Sequence, residues 1–281
     1  NLLEPKPNIR IHARTPDRLL QRMMEMLARA EGSPFLINFD ERSIAGLRWQ
    51  GLPEDRLWDY APVGCLENAL PGCDRSGTVD VNLNLAKPVE LVLNDGRDMA
   101  RGRQIGPRTG DPRTFTNFDQ FFDAFKIQLR HLVDWIIRVN NLADAGRARW
   151  EPAPYLSGLV EGCLESGLDS NAGGARFNFL TVEGIALATA ADSLTAVKKL
   201  VFEDRAVRMD QLLDSLKANF EGYESLRRMV VDKAPKYGND DPYADEVAQA
   251  VSRFWTEEVF RHTSPTGKRY RGGRGVGDPV V

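Results

Sequence analysis

Cysteine and histidine are both scarce in this sequence, with three of each among its 281 residues. An odd number of cysteines without tight pair spacing argues against a disulfide framework and favours a reducing compartment. No Cys-x-x-Cys pair is present, so a structural zinc site is not expected and we predict no metal ligands.

Long apolar runs are missing as well. No stretch approaches the ~20 consecutive apolar residues that a membrane-spanning helix needs, and the first residues show no signal-peptide pattern. The formal net charge is −3 and both signs are interspersed, which leaves no basic patch for nucleic acid or a membrane surface. These absences predict a cytoplasmic protein that binds neither nucleic acid nor membrane.

What is present is typical of a soluble globular protein, since 42% of the residues are hydrophobic and 27% are charged. A chain of this length can bury a sizeable core as one large domain or as two. Because the first residue is not methionine, we expect a fragment or a processed piece.

The order of the predicted elements indicates the α/β class. Residues 8–13 alternate as a strand does, and a helix with Pro16 at its first position follows and stops near Gly32. An apolar run of strand length at residues 34–39 and a short helix at residues 43–50 come next. Strand–helix–strand alternation of this kind predicts parallel βα units.

The remainder of the chain alternates between strand and helix signals. Residues 79–85 alternate as a strand, and residues 116–141 carry the continuous apolar stripe of a helix. Residues 175–182 are typical of a buried strand. Further helices are predicted over residues 185–202, 209–220, 224–231 and 243–260.

Two of the three cysteines are assigned no chemistry. Cys163 falls in a helix that Pro154 is expected to start, and is interpreted as a small core residue. Cys73 lies among turn-forming residues and is expected to be more exposed than Cys65. The predicted buried side of the helix comprises Tyr155, Leu156, Leu159, Val160, Cys163 and Leu164.

Cys65 and Glu67 place a thiol and a carboxylate two residues apart. In extended backbone, residues i and i+2 point to the same face, so the two side chains are expected to project into one space. Pro62 excludes a regular helix just before them, and Gly64 lets the backbone bend or approach a ligand closely. A sulfur nucleophile or radical carrier beside an acid/base group is chemically useful, but a lone Cys-x-Glu spacing is a weak signal, and a free cysteine more often only packs.

Glu183 follows the predicted strand 175–182 at its carboxyl end. Parallel α/β folds place functional groups at this position, which makes Glu183 a candidate substrate-binding residue. The alternative is an acid at the start of the next helix, where the helix dipole favours negative charge.

Residues 64–67, which spell Gly-Cys-Leu-Glu, resemble the Gly-Cys-x-Glu loop of the glycyl radical enzymes, the pyruvate formate-lyase-like superfamily. Four further segments resemble the same family, in its order and at about its spacings. The resemblance covers nearly the whole chain up to Gly272. The four segments are residues 82–96, 173–179, 191–194 and 236–241.

The resemblance implies an architecture. The chain is expected to form part of the ten-stranded α/β barrel of these enzymes, with many peripheral helices, one of which ends near Gly96. Residues 1–272 are then a central portion of the barrel domain, and residues 273–281 are a divergent or truncated tail.

The resemblance also implies a chemistry. In the family, a glycine radical near the C-terminus converts the loop cysteine to a thiyl radical, which abstracts hydrogen from the bound substrate or otherwise oxidises it. Cys65 matches that cysteine by motif, and Glu67 matches its partner carboxylate, a general acid/base. A radical-SAM activating enzyme installs the glycyl radical, and no other cofactor is implied for this chain.

The radical-bearing motif itself, Arg-Val-x-Gly-aromatic, is absent from the sequence. Residues 274–277 are only a superficial echo without a following aromatic residue, so Gly275 and Gly277 are not offered as radical sites. We therefore expect this piece alone to lack the radical source.

For the substrate, residues 64–68 followed by residues 74–78 look most like the arylacetate decarboxylase branch. The first alternative is a dehydratase or C–N lyase of a small polyol or amine, and the second is a non-catalytic remnant or interaction module. Formate-lyase chemistry is disfavoured because Leu66, not a second cysteine, follows Cys65. The implied partners are a small-molecule substrate and the activating enzyme, and a homodimer is compatible with the resemblance.

Overall fold

The computed structural model describes residues 8–29, 36–63, 67–75 and 79–273. The chain divides into two compact units. The first is built from the described parts of Asn1–Val81, Asn140–Glu183 and Val259–Val281, and the second from Asn82–Val139 and Gly184–Glu258.

The first unit opens with a βαβ arrangement. Strand β1 (Asn8–Ile11) is followed by helix α1 (Asp17–Ala28), strand β2 (Leu36–Phe39) and helix α2 (Asp40–Trp49). β1 and β2 pair in parallel, which confirms the predicted parallel βα unit. Helix α1 begins one residue later than predicted, after Pro16.

Two further groups of strands complete the sheet structure. A short connection that includes a 3-10 turn (Glu54–Asp59) leads into strand β3 (Ala61–Val63), which pairs antiparallel with strand β4 (Glu67–Ala69). Strands β5 (Val81–Asn84), β6 (Phe179–Ile185) and β7 (Arg269–Gly272) form a three-stranded sheet in that order, with β6 and β7 parallel.

Helix α4 (Phe118–Trp150) is the longest element, with 33 residues. The sequence predicts its end near residue 141, because the apolar stripe stops there. The helix instead continues to Trp150, since its core-facing positions become polar and remain buried at Asn140 and Asp144. An apolar pattern alone therefore underestimates its length.

The helix predicted from Pro154 onward is wrong. The segment contains two single-turn helices, α5 (Pro154–Ser157) and α6 (Cys163–Ser166). Gly162 between them has a φ of +98°, a left-handed conformation that ends regular helix. Val160 and Cys163 are buried as predicted, whereas Tyr155 (84% exposed), Leu164 (78%), Leu159 and Leu156 are exposed.

The second unit is mainly helical. Phe121, Phe125, Leu129 and Val133 of α4 are fully buried at successive turns of its core, as the apolar stripe predicts. Helix α3 (Lys87–Leu93) matches the helix that the resemblance implies before Gly96, and a π-helical turn at Val197–Glu203 continues helix α7 (Leu187–Ala196). The helices assigned here are α3 (Lys87–Leu93), α7 (Leu187–Ala196), α8 (Met209–Lys217), α9 (Glu224–Lys233) and α10 (Pro242–Phe260).

The class is α/β, as the sequence predicts. Across the described ranges, the seven strands form three separate sheets and no closed barrel. Among those same residues, no helix is long and apolar enough to cross a membrane.

Candidate active site

The hairpin of β3 and β4 carries the predicted acid/base group. Its register pairs Val63 with Glu67, so residues 64–66 connect the two strands. Glu67 is 3% exposed and therefore holds a carboxyl group away from bulk water. Cys65 lies outside the described residues, and its placement beside Glu67 stays a prediction.

The base of this hairpin packs into an apolar cluster. Tyr60 precedes β3 and Leu70 follows β4, and both are buried together with Cys73 and Phe179, the first residue of β6. The Cys73 side chain is 4% exposed and lies in this cluster. Its exposure relative to Cys65 stays a prediction, because Cys65 lies outside the described residues. Burial raises the pKa of the Cys73 thiol, which keeps it protonated and unreactive near neutral pH.

Glu183 lies within β6 and not after its end. The strand runs over Phe179–Ile185, four residues later at its start than predicted, because residues 173–178 first pass through a turn and a bridge. Glu183 is 8% exposed, and the next helix begins at Leu187 with Ala186 as its N-cap. The alternative of a solvent-facing acid at the helix start is therefore wrong.

Phe179, Thr181 and Glu183 share one face of β6, because side chains alternate along a strand. Phe179 on this face packs in the cluster with Tyr60 and Leu70 at the hairpin base. The face that contacts the hairpin base is thus also the face to which Glu183 belongs. The predicted association of Glu183 with the hairpin that carries Glu67 stays a prediction.

A buried arginine and aspartate lie on the same face. Strand β7 pairs Arg271 with Thr181, and the Arg271 Nε donates a hydrogen bond to the Thr181 Oγ1 at 3.1 Å. The Arg271 guanidinium also donates to the Asp74 carboxylate at 3.3 Å and lies 4.7 Å from the centroid of the Phe179 ring. Its charge is thus neutralised by Asp74 within the protein.

A second buried ion pair, between Arg75 and Asp80, is hydrogen-bonded to the backbone of β6. The Arg75 guanidinium donates to the Asp80 carboxylate at 2.6 Å and to the Phe179 carbonyl oxygen at 3.2 Å. The same carboxylate accepts hydrogen bonds from the Thr181 backbone N–H at 2.8 Å and from Arg147 at 3.2 Å. These bonds attach the residues on both sides of the 76–78 segment to β6.

The opposite face of the sheet packs on the last turns of α4. Tyr270 of β7 donates through its hydroxyl to Asn141, and Asn140 donates to that hydroxyl. The buried Lys268 ammonium donates to Asp144 at 2.6 Å and to the Asn171 carbonyl oxygen at 2.7 Å. Burial of Asp144 opposes its ionisation, but the hydrogen bonds from Lys268 and Thr266 outweigh that cost and lower its pKa.

The buried carboxyl groups of the first unit include Glu67 and Glu183, the two that the sequence singles out. A carboxyl held out of water is suited to proton transfer or to binding a polar substrate group. No cluster of three or more potential metal ligands occurs in the part of the chain that the structure describes.

Sequence reasoning missed Asp74 and Arg271 as members of this region. Asp74 enters the sequence analysis only within residues 74–78, which resemble the decarboxylase branch, and Arg271 is assigned no role there. The available signal was the strand-like stretch Arg269–Gly272, whose alternation places Arg271 and Arg269 on one face. Nothing local indicated that its partner would be Asp74, because 197 positions separate the two residues.

Comparisons with known proteins agree with the resemblance. A family model described as pyruvate formate lyase-like matches residues 1–273. The chain is 38% identical over 272 residues to trans-4-hydroxy-L-proline dehydratase of Clostridioides difficile, which covers 96% of this chain and 34% of that protein. It is 32% identical over 273 residues to (2S)-3-sulfopropanediol dehydratase of Klebsiella oxytoca, covering 97% and 33%.

The solved structures show the same relationship. The glycerol-bound form of the B12-independent glycerol dehydratase from Clostridium butyricum matches with a TM-score of 0.85 at 33% identity, over 96% of this chain and 34% of that one. The chain spans about a third of the length of the curated relatives that it matches. The 4-hydroxyphenylacetate decarboxylase glycyl radical subunit of Clostridioides difficile is 24% identical over 300 residues, covering 91% of this chain and 33% of that protein.

Proposed function

Because the chain belongs to the pyruvate formate lyase-like family of glycyl radical enzymes, we propose that the protein containing it is a lyase that eliminates water from a small hydroxylated substrate. The observation that carries this proposal is the burial of Glu67, which holds a carboxyl group out of water two residues after Cys65. This is the first alternative that the sequence left open.

Sequence identity to the relatives favours dehydration over decarboxylation of an arylacetate. Relatives named as dehydratases are 38% and 32% identical to the chain, and an isethionate sulfite-lyase of Bilophila wadsworthia is 37% identical over 247 residues. The decarboxylase subunit is 24% identical. Arylacetate decarboxylation is retained as the second candidate function, because residues 64–68 and 74–78 resemble that branch.

In the proposed reaction, Cys65 exchanges a hydrogen atom with a substrate carbon. The oxidant would be a glycyl radical, and no residue of this sequence fits the glycine that bears it in the family. With its thiol hydrogen given up to such a radical, the Cys65 sulfur takes a hydrogen atom from a substrate carbon. It returns that hydrogen atom to the substrate-derived radical after water has left, so the sulfur radical is regenerated.

Glu67 donates a proton to the leaving hydroxyl group and later takes one back. A leaving hydroxyl departs as water only after it is protonated, and a buried carboxyl group in its neutral form donates that proton. Glu67 then regains a proton from the substrate or solvent before the next cycle. We propose that Glu183 binds a polar substrate group from the shared face of β6.

The wider setting is also proposed. The β5–β6–β7 sheet is part of the family's ten-stranded barrel, and the partners are a small-molecule substrate and a radical-SAM activating enzyme, with a homodimer as the assembly. Support comes from the match to the glycerol dehydratase structure at a TM-score of 0.85.

The test compares two lengths of the protein under anaerobic conditions with a radical-SAM activase. We expect no turnover from the 281-residue chain, and a glycyl radical signal in electron paramagnetic resonance from a chain that includes a glycine-bearing segment. Small hydroxylated substrates and arylacetates are offered in parallel, and dehydration of the former is expected.

Cys65→Ala in the longer protein should abolish turnover and leave the glycyl signal intact. Turnover by Cys65→Ala, or by the 281-residue chain alone, would show that the proposal is wrong. Carbon dioxide release from an arylacetate, without dehydration of any hydroxylated substrate, would instead support the decarboxylase. A glycyl radical signal in the longer protein, without turnover of either substrate class, would contradict both functions.

A further inference from the structure

Two strands at the start of the chain reach both arms of the hairpin that carries Glu67. Arg10 of β1 and Asn38 of β2 are register partners in the parallel pair. Partners in adjacent strands project to the same face of a sheet. The Arg10 and Asn38 side chains therefore project side by side from the same face of the two-stranded sheet.

Arg10 holds the arm that enters β3. Its guanidinium donates hydrogen bonds to the Tyr60 carbonyl oxygen at 2.9 Å and to the Trp58 carbonyl oxygen at 3.2 Å. The same guanidinium lies 3.9 Å from the centroid of the Tyr60 ring, which adds a cation–π contact. The backbone immediately before Ala61, the first residue of β3, is thus bonded to β1.

Asp40 completes this contact from the first turn of α2. Its carboxylate accepts hydrogen bonds from the Arg10 Nε at 2.7 Å and from the Tyr60 hydroxyl at 2.6 Å. Asp40 and Tyr60 are both buried. Charge-assisted hydrogen bonds are shorter and stronger than neutral ones, so the three side chains form a rigid group.

Asn38 holds the other arm. Its Nδ2 donates to the Asn68 Oδ1 at 2.7 Å, and Asn68 lies in β4 opposite Pro62 of β3. Glu67 precedes Asn68 in the strand, so the two side chains point to opposite faces. Asn38 therefore contacts β4 from the face opposite to the one on which the Glu67 carboxyl lies.

We propose that Arg10, Asp40, Tyr60, Asn38 and Asn68 form a hairpin clamp that sets the position of the Glu67 carboxyl for catalysis. They are positioning residues, since each acts on the backbone or the rear face of the hairpin and none is assigned to the substrate. The inference rests on the proposed function and adds to it. Its basis is that Arg10 and Asn38, which are register partners in β1 and β2, contact the two arms of the β3–β4 hairpin.

The experiment uses the full-length protein that contains this chain and compares Arg10→Ala and Asn38→Ala with a matched control, Arg130→Ala. Arg130 donates two hydrogen bonds, at 3.0 and 2.9 Å, to the buried Glu258 carboxylate in the second unit. It thus resembles Arg10 in chemistry and lies outside the hairpin. Turnover, KM, the thermal midpoint, the glycyl radical signal and backbone hydrogen exchange are measured for each protein.

Each clamp variant is expected to lower kcat by ~10–100-fold, the effect of about 1 Å of misplacement in an active site. KM should stay within about twofold, since these residues do not bind substrate, and the radical signal should stay unchanged. Hydrogen exchange should accelerate in the peptide that covers residues 60–70. Arg130→Ala should lower the thermal midpoint comparably and leave kcat and the exchange of this peptide unchanged.

If Arg10→Ala does not fold, Tyr60→Phe removes a single hydrogen bond to Asp40 and keeps the ring; a fall in kcat of ~3–10-fold is then expected. Unchanged exchange over residues 60–70, or a kcat equal to that of Arg130→Ala, would overturn the clamp. Failure of the proposed function is distinguishable: the unsubstituted protein then lacks turnover, while the exchange comparison still decides whether the clamp orders the hairpin.

Discussion

The two units differ in the kind of side chain that they bury. Among the described residues, the second unit buries two charged side chains, Asp98 and Glu258. The first unit buries eight, namely Asp40, Glu67, Asp74, Arg75, Asp144, Glu183, Lys268 and Arg271. The second unit instead buries apolar and aromatic residues, such as Phe121 and Phe125.

Helix α4 shows the same difference within one element. In the second unit its core-facing positions are apolar, as at Leu129 and Val133, which are fully buried. Further along the same stripe, in the first unit, they are Asn140, Asp144 and Arg147, of which the first two are buried. The helix therefore exchanges an apolar contact face for a polar one without a break in its backbone.

Stability alone does not explain why the first unit buries so many charged side chains. Removing an ion from water costs several kcal/mol, and a well-packed apolar replacement is often as stable. The second unit shows that this chain can build an apolar core. The first unit, which carries Glu67 and Glu183, is also the unit in which paired buried charges concentrate, and this supports the proposal that it holds the site.

The largest expected effect separates function from stability. Glu67→Gln in the full-length protein should slow turnover by ~10²–10⁴-fold, because an amide cannot transfer the proton. Anaerobic initial rates, normalised to the glycyl radical signal, measure this. Glu258→Gln, a buried glutamate of the second unit, is the control and should leave the rate unchanged; equal losses in both variants would remove the distinction between the units.

The next effect concerns the buried pair of the first unit. Lys268→Ala leaves the Asp144 carboxylate buried without its ammonium partner, so the free energy of unfolding should fall by about 3–5 kcal/mol. Urea unfolding of the variant beside the unsubstituted protein measures this. The double variant Asp144→Ala with Lys268→Ala should recover part of the loss, because no charge is then stranded; a single variant that loses less than about 1 kcal/mol would contradict the prediction.

A smaller effect is expected from the apolar packing of the second unit. A Cβ at Gly184 would lie 2.9 Å from the Leu85 Cδ1 and from the Trp255 ring. Gly184→Ala should therefore destabilise the protein by about 1–3 kcal/mol through overpacking, as measured by the same unfolding experiment. Gly46→Ala in helix α2 is the control, since nothing lies within 4 Å of its Cβ position, and it should be neutral or stabilising.

The smallest effect is a pH dependence in the first unit. Burial of Asp40 opposes its ionisation, but the hydrogen bonds from Arg10 and Tyr60 outweigh that cost and lower its pKa. A carboxyl whose folded pKa is lowered adds stability above its unfolded pKa of about 3.9, and that stability is lost as pH falls through the folded pKa. Thermal midpoints from pH 6 down to about pH 3 should fall less steeply for Asp40→Asn than for the unsubstituted protein; parallel curves would show that Asp40 carries no such linkage.

Much of the fold was predictable because it follows local rules. The parallel βαβ opening appears as predicted, the strand Asn8–Ile11 begins at the predicted residue, and α4 begins at Phe118, two residues after its predicted start. The helix predicted from Pro154 failed because an apolar pattern does not show that glycine conformations break it, nor that Tyr155 and Leu164 are exposed. The predicted end of α4 was too early for the converse reason: the last core-facing positions of the helix are polar, so the apolar pattern stops before the helix does.

The candidate site divides in the same way. The spacing of Cys65 and Glu67 and the family resemblance could be recognised in the sequence, whereas the burial of Glu67 required the structure. The placement of Glu183 inside β6, and not at a helix start, required the strand boundaries. The contacts of Arg10 and Asn38 with the hairpin required the register of β1 and β2.

The sequence by itself thus determined the family and the α/β class and singled out the residues proposed to bear the chemistry, because each is encoded in short motifs or in a period of a few residues. Only the tertiary structure decided which charges are buried and which partner neutralises each of them. The reason is distance along the chain: Arg271 meets Asp74 across 197 positions, and Lys268 meets Asp144 across 124. Pairings of that length arise from strand register and helix packing, and no local pattern specifies them.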